Sequence, residues 1–221
     1  MRRLAVLILT LAPSLVSPCE LALVLAVDVS GSVDQDEYHI QMGGLAAALQ
    51  DGIVADALVE QKAALSVVQW SGSSRQVQTI PWTRIASHAD VAGLATAIAQ
   101  DPRLWRNYST AIGEALTLSM NAFDAVPLCR RRVIDVSGDG LSNEGLAPMT
   151  LHAELRERGI LVNALAIETD ETDLAAYFYE NVIVGEGAFV VTANGFQDYP
   201  AQIRRKLQRE ITKQFSLLRA K

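Results

Sequence analysis

The sequence predicts a single α/β domain with a mainly parallel sheet covered by helices. Three observations predict it. Residues 21–27 form an unbroken apolar run that stops at Asp28, Ser30, Gly31 and Ser32, the signature of a strand buried on both faces of a parallel sheet. Beyond it, strand-like and helix-like segments alternate, as they do when helices cover such a sheet. The chain has 221 residues, half of them hydrophobic, enough for one full core, and no internal repeat or low-complexity linker marks a second domain.

The elements follow in order. The first strand is 21–27. Asp34 and Glu37 make a capping-box start for a helix reaching Gln50, with Gly43 and Gly44 marking close packing on the sheet. Residues 63–70 read as the second strand and 71–74 as a turn. Residues 77–80 return as an antiparallel edge strand, which Pro81 ends. Ser87 caps a helix over 91–100, broken at Asp101 and Pro102. A loop through Trp105 and Tyr108 leads into a helix over 110–123. Residues 132–137 form the fourth strand, followed by a helix over 148–158 that closes at Gly159. The fifth strand spans 160–167, a helix covers 173–180, the sixth strand is 188–192, and a last helix starts at Pro200. The prediction is thus a six-stranded sheet, five strands parallel, with helices on both faces.

Residues 1–17 read as a secretory leader: Arg2 and Arg3, an apolar stretch from Leu4 to Leu11, then small residues to Ser17. The apolar part is too short to span a bilayer. The mature domain is then 18–221, periplasmic or secreted, with no transmembrane segment. Losing the two arginines takes the formal charge from −6 to −8, a poor match for nucleic acid or anionic lipid. Seven basic residues lie beyond Asp198 (Arg204, Arg205, Lys206, Arg209, Lys213, Arg219, Lys221), and read as a solvated polar helix face. Cys19 and Cys129 precede the first and fourth strands by similar distances. If those strands run side by side, both cysteines reach the same sheet edge. A disulfide there suits an exported chain; the alternative is two buried thiols.

Asp28, Ser30 and Ser32 stand where open α/β sheets keep their sites, beyond the carboxyl end of a strand. Alternate residues of an extended segment share a face. Asp139 ends the fourth strand in the same way, inside Ser137-Gly-Asp-Gly140. Two carboxylates ~5 Å apart repel by about 3 kcal/mol at an effective dielectric of 20, and a divalent cation removes that repulsion. Oxygen ligands without His or Cys suit a hard ion such as Mg²⁺, with Mn²⁺ or Ca²⁺ as alternatives. Trp70, Trp105 and Tyr108 are candidates for an aromatic rim, weighed against core packing. His39, His88 and His152 show no metal-ligand or triad spacing. Asp135, inside a strand, predicts a hydrogen-bonded buried carboxylate. Glu168, Asp170, Glu171 and Asp173 read as first-turn helix charges.

Asp28-x-Ser30-x-Ser32, a threonine in the loop before the third major helix (Thr110) and Asp139 at the end of the fourth strand resemble, in order, the three motifs of the von Willebrand factor A (VWA) family. These form its metal-ion-dependent adhesion site, or MIDAS. The resemblance spans essentially the whole mature chain and implies a three-layer, Rossmann-like VWA fold. Within bacteria, Cys-Glu-Leu-Ala at 19–22 and the run 130–140 are similar to a secreted family catalogued only as a domain of unknown function. Two departures stand out: Gly138 replaces the hydroxyl residue usual before the aspartate, and Tyr108 and Ser109 replace glycines before Thr110, so Ser109 is an alternative source of the second-loop hydroxyl.

The resemblance implies that Ser30, Ser32 and Thr110 contact the cation, that Asp28 and Asp139 act largely through water, and that an Asp or Glu of a partner protein fills the open position. It implies a metal-dependent protein-binding module rather than an enzyme, and a chain that is only this domain favours the same reading. The runner-up is a metal-dependent hydrolase such as a haloacid-dehalogenase-type phosphatase. That chemistry wants an aspartate as acid and base two residues after the first, where this chain has Ser30. The third reading is a structural domain without metal.

Overall fold

The computed structural model describes residues 19–126, 128–169 and 173–212. The leader expected at 1–17 lies outside the described residues, as do Asp170, Glu171, Lys213, Arg219 and Lys221. Six strands, β1 (Leu21–Asp28), β2 (Ala64–Trp70), β3 (Gln76–Arg84), β4 (Arg131–Gly138), β5 (Ile160–Ile167) and β6 (Val190–Ala193), form one sheet in the order β3-β2-β1-β4-β5-β6. Only β3 is antiparallel to its neighbour. The strand order reverses direction at β1, between β2 and β4, which in such sheets is where the crevice opens.

Helices α1 (Gln35–Leu49), α2 (Gly52–Glu60), α3 (His88–Gln100) and α7 (Tyr199–Thr212) close one core with the odd-numbered residues of β1. Helices α4 (Ile112–Ala122), α5 (His152–Glu157) and α6 (Leu174–Asn181) close a second core against Ala22, Val24 and Ala26. All eight residues of β1 are buried, so its apolar run is explained by having a helical layer on each side. No single described helix is long and apolar enough to cross a membrane.

The capping boxes at Asp34/Glu37 and Ser87/Asp90 are formed, and Gly159 takes a left-handed φ of +63° behind α5, where any other residue would be strained. Two expectations fail. Helix α2 departs from that reading: six of its nine residues are apolar, too short a stretch to give a readable period, and it starts because Asp51 caps the amides of Ile53 and Val54. Pro81 does not end the edge strand, which continues to Arg84. It lies on an outer strand, exposed, beside register shifts in the pairing with β2, where a missing N–H leaves no ladder bond unmade.

Cys19 and Cys129 form a disulfide, with Cα atoms 4.4 Å apart. They precede β1 and β4 at the edge opposite the expected site, where Arg130 N–H donates to Cys19 O and Arg131 N–H to Glu20 O. The bridge closes a loop across a sequence separation of 110, worth up to ~4–5 kcal/mol in the chain-entropy account and less in practice.

Candidate metal centre

Three loops meet at the carboxyl end of β1 and β4. The first leaves β1 at Asp28, whose backbone carbonyl is held by Gln41 Nε2 of α1 at 3.0 Å. Asp28 is fully buried, and its Oδ1 accepts the Ser30 N–H at 2.7 Å. That bond curls the chain back immediately after the strand. Ser30 and Ser32 hydroxyls then lie 3.3 Å apart, and Ser32 Oγ donates to Asp139 Oδ1 at 2.7 Å. One carboxylate from each of two adjacent strands and two hydroxyls thus converge.

The second loop approaches closely at Gly31, where a side chain would push the loop back by a few tenths of an ångström. The Gly31 N–H donates to Tyr108 O at 2.8 Å, and a Cβ there would stand 3.2 Å from Asn107 Cα and Tyr108 O. The third loop, after β4, is stitched to the second by a reciprocal pair: Thr110 N–H donates to Asn143 Oδ1 at 3.0 Å, and Asn143 N–H to Thr110 O at 2.9 Å. The three loops surround an open cavity of about 410 Å³, lined by Ser32, Thr110 and Asp139 with Gly31, Tyr108 and Asn143 among its other walls.

Residues 18–215 match the family described as "Protein of unknown function (DUF1194)". The chain belongs to the DUF1194 family. No curated protein matches it. Among solved structures, it is similar to proximal thread matrix protein 1 from the mussel byssus, at 18% identity and a TM-score of 0.65, covering 86% of this chain and 47% of that one. The same mussel protein with a zinc-occupied MIDAS motif matches at 16% identity and 0.64, covering 88% and 46%. A von Willebrand factor type A protein from Catenulispora acidiphila matches at 17% and 0.58, covering 88% and 42%. An aerotolerance-related membrane protein from Bacteroides fragilis matches at 16% and 0.55, covering 87% and 99%. The DUF1194 chain therefore has the VWA fold, and spans about half the length of the mussel protein.

The electrostatics of the DUF1194 site are set by two neighbouring carboxyls held out of water. Burial, with the Asp139 charge beside it, pushes the Asp28 carboxyl up to about 8, and the bonds from Ser30 and the Asp139 backbone amide only partly offset this. Burial also raises Asp139, against the Ser32 hydroxyl. Asp28 Oδ2 is buried and has no hydrogen-bond partner. A native structure seldom leaves a buried carboxylate oxygen bare, and a hard cation with its water shell is a group that would satisfy it. Among the described residues no cluster of three or more His, Cys, Asp or Glu could hold a metal. A centre here therefore depends on hydroxyls as well as the two carboxylates.

Of the two candidate hydroxyls on the second loop, Thr110 lines the cavity. The helix that follows begins at Ile112 behind an Ala111 N-cap, with no side-chain cap, so capping does not account for Thr110. Ser109 instead contributes to lowering the Glu144 carboxyl, behind the larger effect of Ser73. Gly138 is explained by space: a Cβ would stand 3.0 Å from Asp28 Oδ2 and 3.4 Å from the Trp70 ring.

The expected aromatic rim needs correction. Trp70 is fully buried in the second core, because β2 is covered on both faces and its last residue, paired with Asp28, lies beneath the site. Trp105 is partly buried against the first core and is absent from the cavity wall. Tyr108 does line the cavity, 42% exposed, with the Arg75 guanidinium 3.5 Å from its ring centre. Sequence reasoning missed Gln41, Asn143 and Arg103. Nothing local distinguishes a glutamine inside a helix, or an arginine in a loop, until the fold brings it to the site.

Proposed function

We propose that this DUF1194 chain is a divalent-cation-dependent protein-binding module of the bacterial cell envelope, periplasmic or secreted. Ser30, Ser32 and Thr110 would hold Mg²⁺, or Mn²⁺ or Ca²⁺, by their hydroxyls, with Asp28 and Asp139 supplying the charge. The bound cation would offer a positive site to an Asp or Glu of a partner protein. The reading is carried by one observation: two neighbouring buried carboxyls, Asp139 bonded to Ser32 at an open cavity and Asp28 bonded to the Ser30 N–H with its Oδ2 left without a partner. The disulfide and the mussel neighbour's zinc-occupied MIDAS motif support it. Ser30 stands where a phosphatase would want its acid–base aspartate, which argues against hydrolysis.

The test is thermal unfolding in Mg²⁺ or Mn²⁺ against chelator, for wild type and Asp139→Ala. A cation at one hundred times its Kd stabilises by ~2.7 kcal/mol, a shift of a few degrees for a domain of this size. Wild type is expected to show that shift and Asp139→Ala to lack it. Turnover of a phosphate ester that disappears in the variant would replace this reading with the hydrolase.

A further inference from the structure

The three motifs account for what faces the cavity but not for what holds the first loop in its curl from behind. Two backbone carbonyls of that loop, Val29 O and Ser30 O, both accept from one group, Ser30 O also taking the Val33 N–H at 3.2 Å. Arg103 Nη2 donates to Ser30 O at 2.8 Å and to Val29 O at 3.3 Å.

Arg103 is itself fixed by a buried polar anchor on β2. Gln69, fully buried, donates from Nε2 to Pro102 O at 3.0 Å and to Asp101 Oδ2 at 2.9 Å. Its Oε1 accepts the Leu104 N–H at 3.1 Å. The residues on both sides of Arg103 are therefore pinned to the same side chain, and Thr79 Oγ1 adds a 2.6 Å bond to Asp101 Oδ2. A loop with no regular secondary structure is thereby held rigidly enough to aim one guanidinium at two carbonyls. The guanidinium is also close enough to Asp28 for the two charges to interact.

We propose that Arg103 is the positioning residue of the metal centre: it clamps the Val29 and Ser30 carbonyls so that Asp28, Ser30 and Ser32 present their oxygens toward Asp139. This deepens the reading above and rests on it. A clamp and a mere charge have opposite consequences for a cation. As a charge, Arg103 would repel the ion, and removing it would tighten binding. As a clamp, it preorganises the ligands, and losing it weakens binding. Groups that orient metal ligands from behind are worth about 10–100-fold in affinity.

The experiment is Mn²⁺ titration of the intact mature chain, followed by calorimetry and by the electron paramagnetic resonance signal of free Mn²⁺. It compares wild type with Arg103→Lys, Arg103→Met and Arg106→Gln. Lysine keeps the charge but cannot reproduce the guanidinium's reach and geometry. Arg103→Lys and Arg103→Met are both expected to weaken Mn²⁺ by roughly tenfold or more. Arg106→Gln removes a neighbouring exposed charge and is expected to stay within about twofold of wild type, the size of a screened surface effect. Arg103→Lys binding as wild type does, or Arg103→Met binding more tightly, overturns the clamp. If Arg103→Met does not fold, Arg103→Lys decides alone. Failure of wild type to bind Mn²⁺ would overturn the metal-centre reading instead, so the two failures are told apart.

Discussion

Lys206→Met is expected to cost about 3–5 kcal/mol of unfolding free energy, the range for a buried ion pair stripped of one partner. Lys206 lies on α7 yet is fully buried, with its ammonium ion-paired to Asp135 Oδ1 of β4 and 3.3 Å from Glu210 Oε2. Asn163 of β5 completes the group, donating to Glu210 Oε1 at 2.6 Å while its own Oδ1 accepts the Phe189 N–H at 3.0 Å. One cation thus serves two buried carboxylates and docks the last helix on the centre of the sheet. Methionine fills the same space and leaves the two acids facing each other.

The loss carries a pH signature. Burial pushes Asp135 up to about 7, although Lys206 pulls it down. A carboxyl raised above its unfolded value contributes stability that is fully present below about pH 4 and lost as pH climbs through 7. Without the lysine the acid rises further, so the deficit of Lys206→Met should be smaller at pH 5, where Asp135 can protonate, and larger at pH 8. Urea unfolding at the two pH values measures it. A deficit under about 1 kcal/mol at pH 8, that of an exposed pair, would show that the network does not hold α7.

This network also shows why part of the structure was legible in the sequence and part was not. Asp135 was conspicuous because a lone carboxylate inside a β-strand demands a partner. Lys206 reads as part of a solvated basic face only when the charges are counted without their phase. Ile203, Lys206, Leu207, Glu210 and Ile211 fall on one helical stripe, and all five are buried. The lysine and the glutamate therefore sat inside the apolar face. The metal motif was legible for the opposite reason: Asp28, Ser30 and Ser32 are contiguous, and a buried strand ending in oxygens is a local pattern. The Cys19–Cys129 bridge could be inferred because it needed only the parallel pairing of two strands. Trp70 misled because a strand-end position suggests a rim, whereas a strand covered on both faces offers its last residue no way out. Arg103 and Gln69 were invisible, since their role depends on which loops the fold places side by side.

Asp28→Asn is expected to stabilise the cation-free protein at pH 8 and above, where the buried carboxyl, raised to about 8, must otherwise ionise, while abolishing its response to Mg²⁺ or Mn²⁺. Asparagine keeps the acceptor that curls the loop toward Ser30 N–H. It replaces by a neutral amide the carboxylate that is fully buried, bare at Oδ2 and pressed by the Asp139 charge. The packing of β1 on both faces is apolar, and the Arg103 guanidinium behind the loop, which interacts with Asp28, leaves its carboxyl raised to about 8. The aspartate is therefore a net cost to the fold that a bound cation would offset. In chelator the variant should therefore melt above wild type. In saturating cation the gap should close or reverse, because wild type alone gains binding free energy. A variant that melts below wild type in chelator would mean that Asp28 is stabilising in its own right, and that the carboxylate pair is a structural device rather than a seat for a metal.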